Sequence, residues 1–126
     1  MPEGGRAGSA WRPERLTDSR AFRRTFREGK RYRGERLKAA IAENSLGALR
    51  LGFSISAKKG NAVRRNLLRR RVRCLAQEFW PNAGVDIVVW PAVDLREIGL
   101  RDTKAEMERI GRKIAEVAEK SGPGSD

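Results

Sequence analysis

Between Ser56 and Arg73 the chain reads SAKKGNAVRRNLLRRRVR, with eight cations, Lys58, Lys59, Arg64, Arg65, Arg69, Arg70, Arg71 and Arg73, and no acid. Like charges at that density repel one another unless an anion neutralises them. Over the whole chain 21 of the 28 basic residues are Arg. The planar guanidinium donates two parallel hydrogen bonds to one phosphate, where the Lys ammonium acts as a point charge. The chemistry on offer is the gripping of a polyanion, and nucleic acid is the natural counterion. A solvated helix face is the duller alternative, and a block this long without one acid counts against it.

The rest of the composition narrows the field. The chain has 126 residues, no His and a single Cys, Cys74. An intramolecular disulfide, a Cys/His zinc site and a histidine general base are therefore excluded. Cys74 itself is expected to be a small buried hydrophobe. Mean hydropathy is -0.65, and no stretch approaches the roughly 20 apolar residues of a membrane span. The first residues also lack the apolar core of a secretory signal. The expectation is a cytoplasmic protein with no membrane contact and no small-molecule substrate. The net charge of +12 is local, since residues 1–79 hold 21 basic and 7 acidic residues, or +14, and residues 80–126 hold 7 and 9, or -2. A hydrophobic share of 39% builds one small core.

Positioning the cationic block takes a short series of elements. Residues 1–14 and 119–126 are expected to be disordered tails, the first of them basic, around one folded domain at 15–118. Thr17 or Asp18 caps a short helix with Ala21, Phe22, Thr25 and Phe26 on one side, ended by Gly29 in a left-handed C′ position. Leu37, Ala39 and Ile41 alternate, and so do Leu51, Phe53 and Ile55 against Gly52, Ser54 and Ser56, which predicts strands. From Val63 to Phe79 the period is helical. Leu68, Val72, Leu75 and Phe79 share a sector there, and Asn66, Arg69, Arg70 and Arg73 lie opposite as an outward cationic face. Pro81 ends this helix. VDIVVW reads as a strand buried on both sides. Thr103 with Glu106 reads as a capping box for a last helix carrying Met107, Ile110, Ile114 and Val117. Helix, two or three strands, helix, strand, helix is an α/β sandwich.

The cationic segment resembles the signature of the protein subunit of bacterial ribonuclease P. In that family a strand ending in Ser leads through a Lys-rich turn and Gly-Asn-Ala-Val into a helix opening Arg-Asn. Basic residues follow three, four and seven places beyond the Asn. Ser56, Lys58, Gly60, Asn61, Ala62, Val63, Arg65, Asn66, Arg69, Arg70 and Arg73 stand at matching positions. Phe22, Phe26 and Gly29 are similar to the family's first helix, and Gly84, Asp86, Ile87 and Val88 to its fourth strand. The chain departs from the pattern at Ala57, at Lys59, at Ala40, where many relatives have an aromatic, and at Trp90-Pro91.

The resemblance implies an α/β (α+β) two-layer sandwich. It has a mixed four-stranded sheet with three helices in the order α-β-β-β-α-β-α. A left-handed βαβ crossover passes through the basic helix, as in the ribosomal-protein-like superfold and against the usual right-handed rule. It also implies a ribonucleoprotein endonuclease that removes the 5′ leader of precursor tRNA. In that enzyme the large RNA is catalytic and holds the Mg²⁺ ions, while the protein binds no metal and contributes no catalytic residue. The implied partners are ribonuclease P RNA and precursor tRNA. Arg64, Arg65, Asn66, Arg69, Arg70 and Arg73 would bind the catalytic RNA. Phe22, Phe26, Ser54, Ser56, Lys58 and Asn61 would hold the leader. By spacing alone Phe22 and Phe26 are a core pair, and the cluster Lys30, Arg31, Arg33 and Arg36 either deters edge pairing or meets RNA. The rival reading is a structural RNA-binding protein of the ribosome, for which the same basicity and size would serve.

Overall fold

In the computed structural model, which describes residues 11–121, the β-branched run after Gly84 forms the central strand. The elements follow as β1 (Glu14–Arg15), α1 (Ser19–Glu28), β2 (Lys30–Arg33), β3 (Leu37–Glu43), β4 (Arg50–Phe53), α2 (Ala62–Phe79), β5 (Val85–Pro91) and α3 (Leu100–Ser121). Short 3₁₀ turns lie at Ala57–Lys59 and Leu95–Glu97. The described strands make one five-stranded sheet in the order β1-β4-β5-β3-β2. β4 is parallel to both β1 and β5, while β3 is antiparallel to β5 and β2. The four-stranded expectation lacked β1, which is only two residues long and so carries no alternation to read.

The sheet is covered on both faces, not one. Ala39 and Ile41 of β3, Leu51 of β4 and Ile87 and Val89 of β5 form one core with Leu68, Val72 and Ala76 of α2 and Met107, Ile110 and Ile114 of α3. The intervening residues Ala40 and Val88 are also fully buried, so they need a cover of their own. α1 supplies it. A Cβ on Gly52 would lie 2.9 Å from the Phe22 ring, and one on Gly29 would lie 2.6 Å from the Thr25 carbonyl and 2.8 Å from the Ile41 nitrogen. The two-layer expectation is thus corrected to α1 on one face and α2 with α3 on the other. Gly29 is extended, at φ -67°, so it is selected by this close approach to β3 and not by a left-handed cap.

The helix ends follow local chemistry. The Asp18 carboxylate accepts from the Arg20 N–H at 3.0 Å, and the Asn61 side chain from the Arg64 N–H at 2.9 Å. α2 buries Leu68, Val72 and Ala76, with Leu75 and Phe79 packed at the edge of the core. Cys74 projects between these positions and is exposed, against the buried expectation. The α3 start differs from its reading too. Gly99 precedes the helix, its N–H donates to the Asp102 carboxylate at 3.2 Å, and the Thr103 hydroxyl donates to the Gly99 carbonyl at 2.8 Å. Glu106 is therefore free of any cap. Buried to 3% exposure, it accepts from the N–H groups of Arg36 at 2.7 Å and Leu37 at 3.1 Å and from the Tyr32 hydroxyl. One α3 carboxylate thereby holds the β2–β3 turn.

The domain boundaries also move. Trp11 packs against the core and β1 follows it, so the fold begins before residue 15. α3 runs through Ser121, beyond the expected boundary at 118. Residues 1–10 and 122–126 lie outside the described residues, and the tail expectation for them with it.

Glu106→Ala would strand three donors, and a buried donor left unpaired costs roughly 1–3 kcal/mol. Denaturant unfolding should show a loss of about 3 kcal/mol, and a variant as stable as the parent would show that the tie is dispensable. Burial first, then the hydrogen bond to Glu106 and its charge, push the Tyr32 phenol up to about 12, with Arg109 opposing. A raised folded pKa means that this contribution is complete below the ordinary value of 10.0 and fades as pH climbs towards about 12. Tyr32→Phe should flatten that alkaline loss in melting curves.

Candidate nucleic-acid interface

Packing turns α2 so that its cations divide. At about 100° per residue, Arg65, Arg69 and Arg73 run along one flank of the buried Leu68, Val72 and Ala76 stripe and are half-buried, while Arg64 and Arg71 run along the other. Asn66 and Arg70 point outward and are exposed. The single outward face read from periodicity is thus two cationic flanks joined by a polar ridge. Asn66 joins them on one side, its side-chain oxygen accepting from Arg69 Nη1 at 2.8 Å. The other flank borders a hollow of about 160 Å³, where Arg64, Arg71 and Arg96 surround Leu67, Leu68, Leu95 and Ile98.

Arg73 sits on the inner flank with its guanidinium carbon 5.5 Å from the centre of the Phe53 ring. Its pKa is lowered first by burial and then by the charges of Arg15 and Arg69. The Arg65 Nε is buried without a hydrogen-bond partner among the described residues. Among those residues no carboxylate forms an ion pair with Arg65, Arg69 or Arg73.

On the opposite face of the sheet, α1 carries the aromatic pair. Phe22 is half-buried over Gly52, whereas Phe26 is 38% exposed. Neither ring is enclosed, and the core of the other face contains neither. Phe26 meets Trp90 of β5 with ring centres 4.9 Å apart and planes tilted by 58°. The Arg31 guanidinium lies 5.3 Å from both rings, and its Nη1 is buried with no partner among the described residues. Phe22, Arg23, Phe26, Arg27 and Arg31 line an open hollow of about 360 Å³.

The remaining leader candidates stand apart from that hollow. β4 ends at Phe53, so Ser54 and Ser56 leave the strand and are exposed, as are Lys58 and Asn61. Ser56 accepts from the Lys58 N–H at 3.1 Å and Asn61 caps α2, so both side-chain oxygens already have local work. Gly52, which alternates with the two serines in the sequence, is covered by Phe22. Of the second cationic cluster, Arg36 is structural, donating to the Glu97 carbonyl at 3.0 Å and pairing with Asp102 at 3.4 Å. Arg31 belongs to the hollow. Sequence reasoning had no role for Trp90, and its position on the same strand face as Val88 was the available signal.

The family model described as Ribonuclease P matches residues 11–115. The ribonuclease P protein component of Thermotoga maritima is 41% identical over 91 residues, which is 68% of this chain and 75% of that one. The component from Natranaerobius thermophilus is 33% identical over 94 residues, 73% and 82% of the two chains. Among solved structures, the RNase P protein from Thermotoga maritima superimposes with a TM-score of 0.69 at 30% identity, covering 80% of this chain and 97% of that one.

The different burial of the two rings predicts different costs of removal. Phe22→Ala should lower folding stability by about 2–3 kcal/mol, near the bottom of the range for large-to-small core changes, and Phe26→Ala by less than about 1.5. Thermal unfolding of the free proteins measures both. Equal and large losses would return Phe26 to the core.

Proposed function

The chain belongs to the ribonuclease P protein family, and from that premise we propose how its two faces divide the work. It is the protein subunit of the ribonuclease P endoribonuclease, and its partner is ribonuclease P RNA. In our reading the RNA performs the phosphodiester hydrolysis that removes the 5′ leader of precursor tRNA. The protein binds the catalytic RNA through the flanks of α2 with Arg64, Arg65, Asn66, Arg69, Arg70 and Arg73. It receives the single-stranded leader in the hollow beside Phe22 and Phe26, with Ser54, Ser56, Lys58 and Asn61 on its path towards α2. The β4–α2–β5 connection is taken as the left-handed crossover of the ribosomal-protein-like superfold, and the cytoplasm as the site of action.

One observation carries this reading: an aromatic hollow ringed by Arg lies on the same molecule as a helix whose residues 62–73 hold six Arg and no acid. Bases stack on aromatic rings whatever their identity, each contributing roughly 1–3 kcal/mol, and Arg neutralises the backbone beside them. A leader of arbitrary sequence needs that combination. Mg²⁺ belongs to the RNA in this proposal, because among the described residues no three acidic side chains cluster in a way that could hold it. Asp86 is engaged by Arg50 and Asn44, Glu106 by backbone N–H groups, and Asp94 and Asp102 by caps. A structural role in the ribosome is not favoured, since the relatives described above are ribonuclease P components.

Purified, RNA-free protein should leave precursor tRNA intact in Mg²⁺, and adding a bacterial ribonuclease P RNA should yield the mature 5′ end. Cleavage by the protein alone would overturn the division of labour. In reconstituted holoenzyme, Phe26→Ala should weaken binding of precursor tRNA by about one stacking interaction, roughly 1–3 kcal/mol, with mature tRNA bound as before. An unchanged ratio of precursor to mature affinity would remove the hollow from the leader's path.

A further inference from the structure

β1 is two residues long, yet it separates two charges. Glu14 is in register with Arg50 and Arg15 with Leu51, and the strand is held by the Glu14 N–H on the Leu49 carbonyl and the Leu16 N–H on the Leu51 carbonyl, each at 3.0 Å. Alternation then fixes the faces. Glu14 shares the α1 face with Arg50, whose pKa it helps to raise, and Leu16 lies beside Gly52 on that same face. Arg15 points the other way, with Leu51 and Phe53, towards the inner flank of α2.

On that side stand Arg69 and Arg73. Arg73 is fixed over the Phe53 ring at 5.5 Å, and Arg69 is held by Asn66 at 2.8 Å. Arg15 is exposed and close enough that its charge acts on Arg73. A backbone pairing that presents a third guanidinium to two others costs repulsion unless an anion sits among them. Three forks converging from two elements match the several oxygens of one phosphate.

We infer that Arg15, Arg69 and Arg73 form one composite site for a backbone phosphate of RNA, with β1 serving to deliver Arg15. The inference rests on the proposed reading of α2 as an RNA-binding surface and adds the N-terminal strand to it. The phosphate could belong to the catalytic RNA or to the precursor leader, and both present the same chemistry.

The test measures salt dependence for Arg15→Gln, Arg73→Gln and the double variant. Glu14→Gln serves as a control on the same strand and the opposite face. One arm titrates ribonuclease P RNA with each protein, and the other titrates precursor against mature tRNA with each holoenzyme. In the arm that holds the phosphate, Arg15→Gln should lower the log-log salt slope by roughly 0.7–0.9. The double variant should lose less than the sum of the singles, because both side chains serve one anion, and Glu14→Gln should keep the parent slope. A parent slope for Arg15→Gln in both arms, or strict additivity with Arg73→Gln, would overturn the composite site. Melting curves of the free proteins exclude unfolding as the cause, and Arg15→Lys, which keeps the charge and loses the fork, should retain the slope while weakening affinity. If the parent protein fails to bind ribonuclease P RNA at all, the underlying reading falls instead, so the two failures are distinguishable.

Discussion

Burial of β5 on both faces is the constraint from which the remaining placements follow. Val85, Ile87 and Val89 face α2 and α3, while Val88 faces α1, and all four are at 0% exposure. A strand of that kind must be central and must have helices on both sides. Asp86 is the one charge within it, at 1% exposure, and it sits on the α1 face. Arg50 answers it with two hydrogen bonds of 2.7 Å from Nε and Nη2, and Asn44 with one of 2.8 Å. The hydrogen bond to Asp86 raises the Arg50 pKa. Such a pair adds little net stability over apolar packing, but losing one partner would strand the other. It locks the register of β4 against β5, and β4 in turn seats β1.

Charge is then distributed by face. The acids nearest the sheet are consumed locally, Asp86 by Arg50 and Glu106 by the β2–β3 turn. Among the described residues the cations of α2 form no ion pair with a carboxylate, whereas on α1 Arg27 pairs with Glu28 at 3.8 Å. The fold thus holds like charges near one another and relies on a large apolar core to withstand their repulsion. Neutralisation by a polyanion relieves that repulsion, which links RNA binding to stability by mass action. α3, packed beside α2 on the same face of the sheet, carries five acids and six bases, so it brings no net negative charge to the cationic flanks.

Elements with a clear period are legible in the sequence alone. The α2 stripe, the buried β5 run and the Asp18 start of α1 each repeat one signal several times, and the Gly60 to Arg73 motif added identity. What was not legible depends on contacts between distant segments. β1 is too short for a pattern and exists because β4 offers an edge. Glu106 has the spacing of a cap from Thr103, but Gly99 and Asp102 start the helix three to four residues earlier, which frees Glu106 for the turn. Gly29 looks like a helix terminator, and only the approach of Ile41 reveals why no Cβ fits. The division of the α2 cations into two flanks depended on Ala76, a small residue that weighs little in a periodicity reading but is fully buried.

Trp90 shows how a departure from the family pattern is absorbed by the geometry. Ala40, a position at which the family resemblance led to the expectation of an aromatic, is fully buried and paired with Val88 beneath α1. Trp90 lies one pair further along β5, opposite Lys38 on the same face, and there it emerges beside Phe26. The aromatic surface of β5 thus lies on the α1 side. Arg31, in register with Ala40, places its guanidinium carbon 5.3 Å from the centre of each ring. Helix ring, strand ring and guanidinium therefore hold one another in place, each contact of modest strength. A rim built this way depends on which face its residues share more than on which strand carries the ring. A substitution at one strand position is thus compatible with an unchanged task, provided that the neighbouring pair on that face supplies the surface.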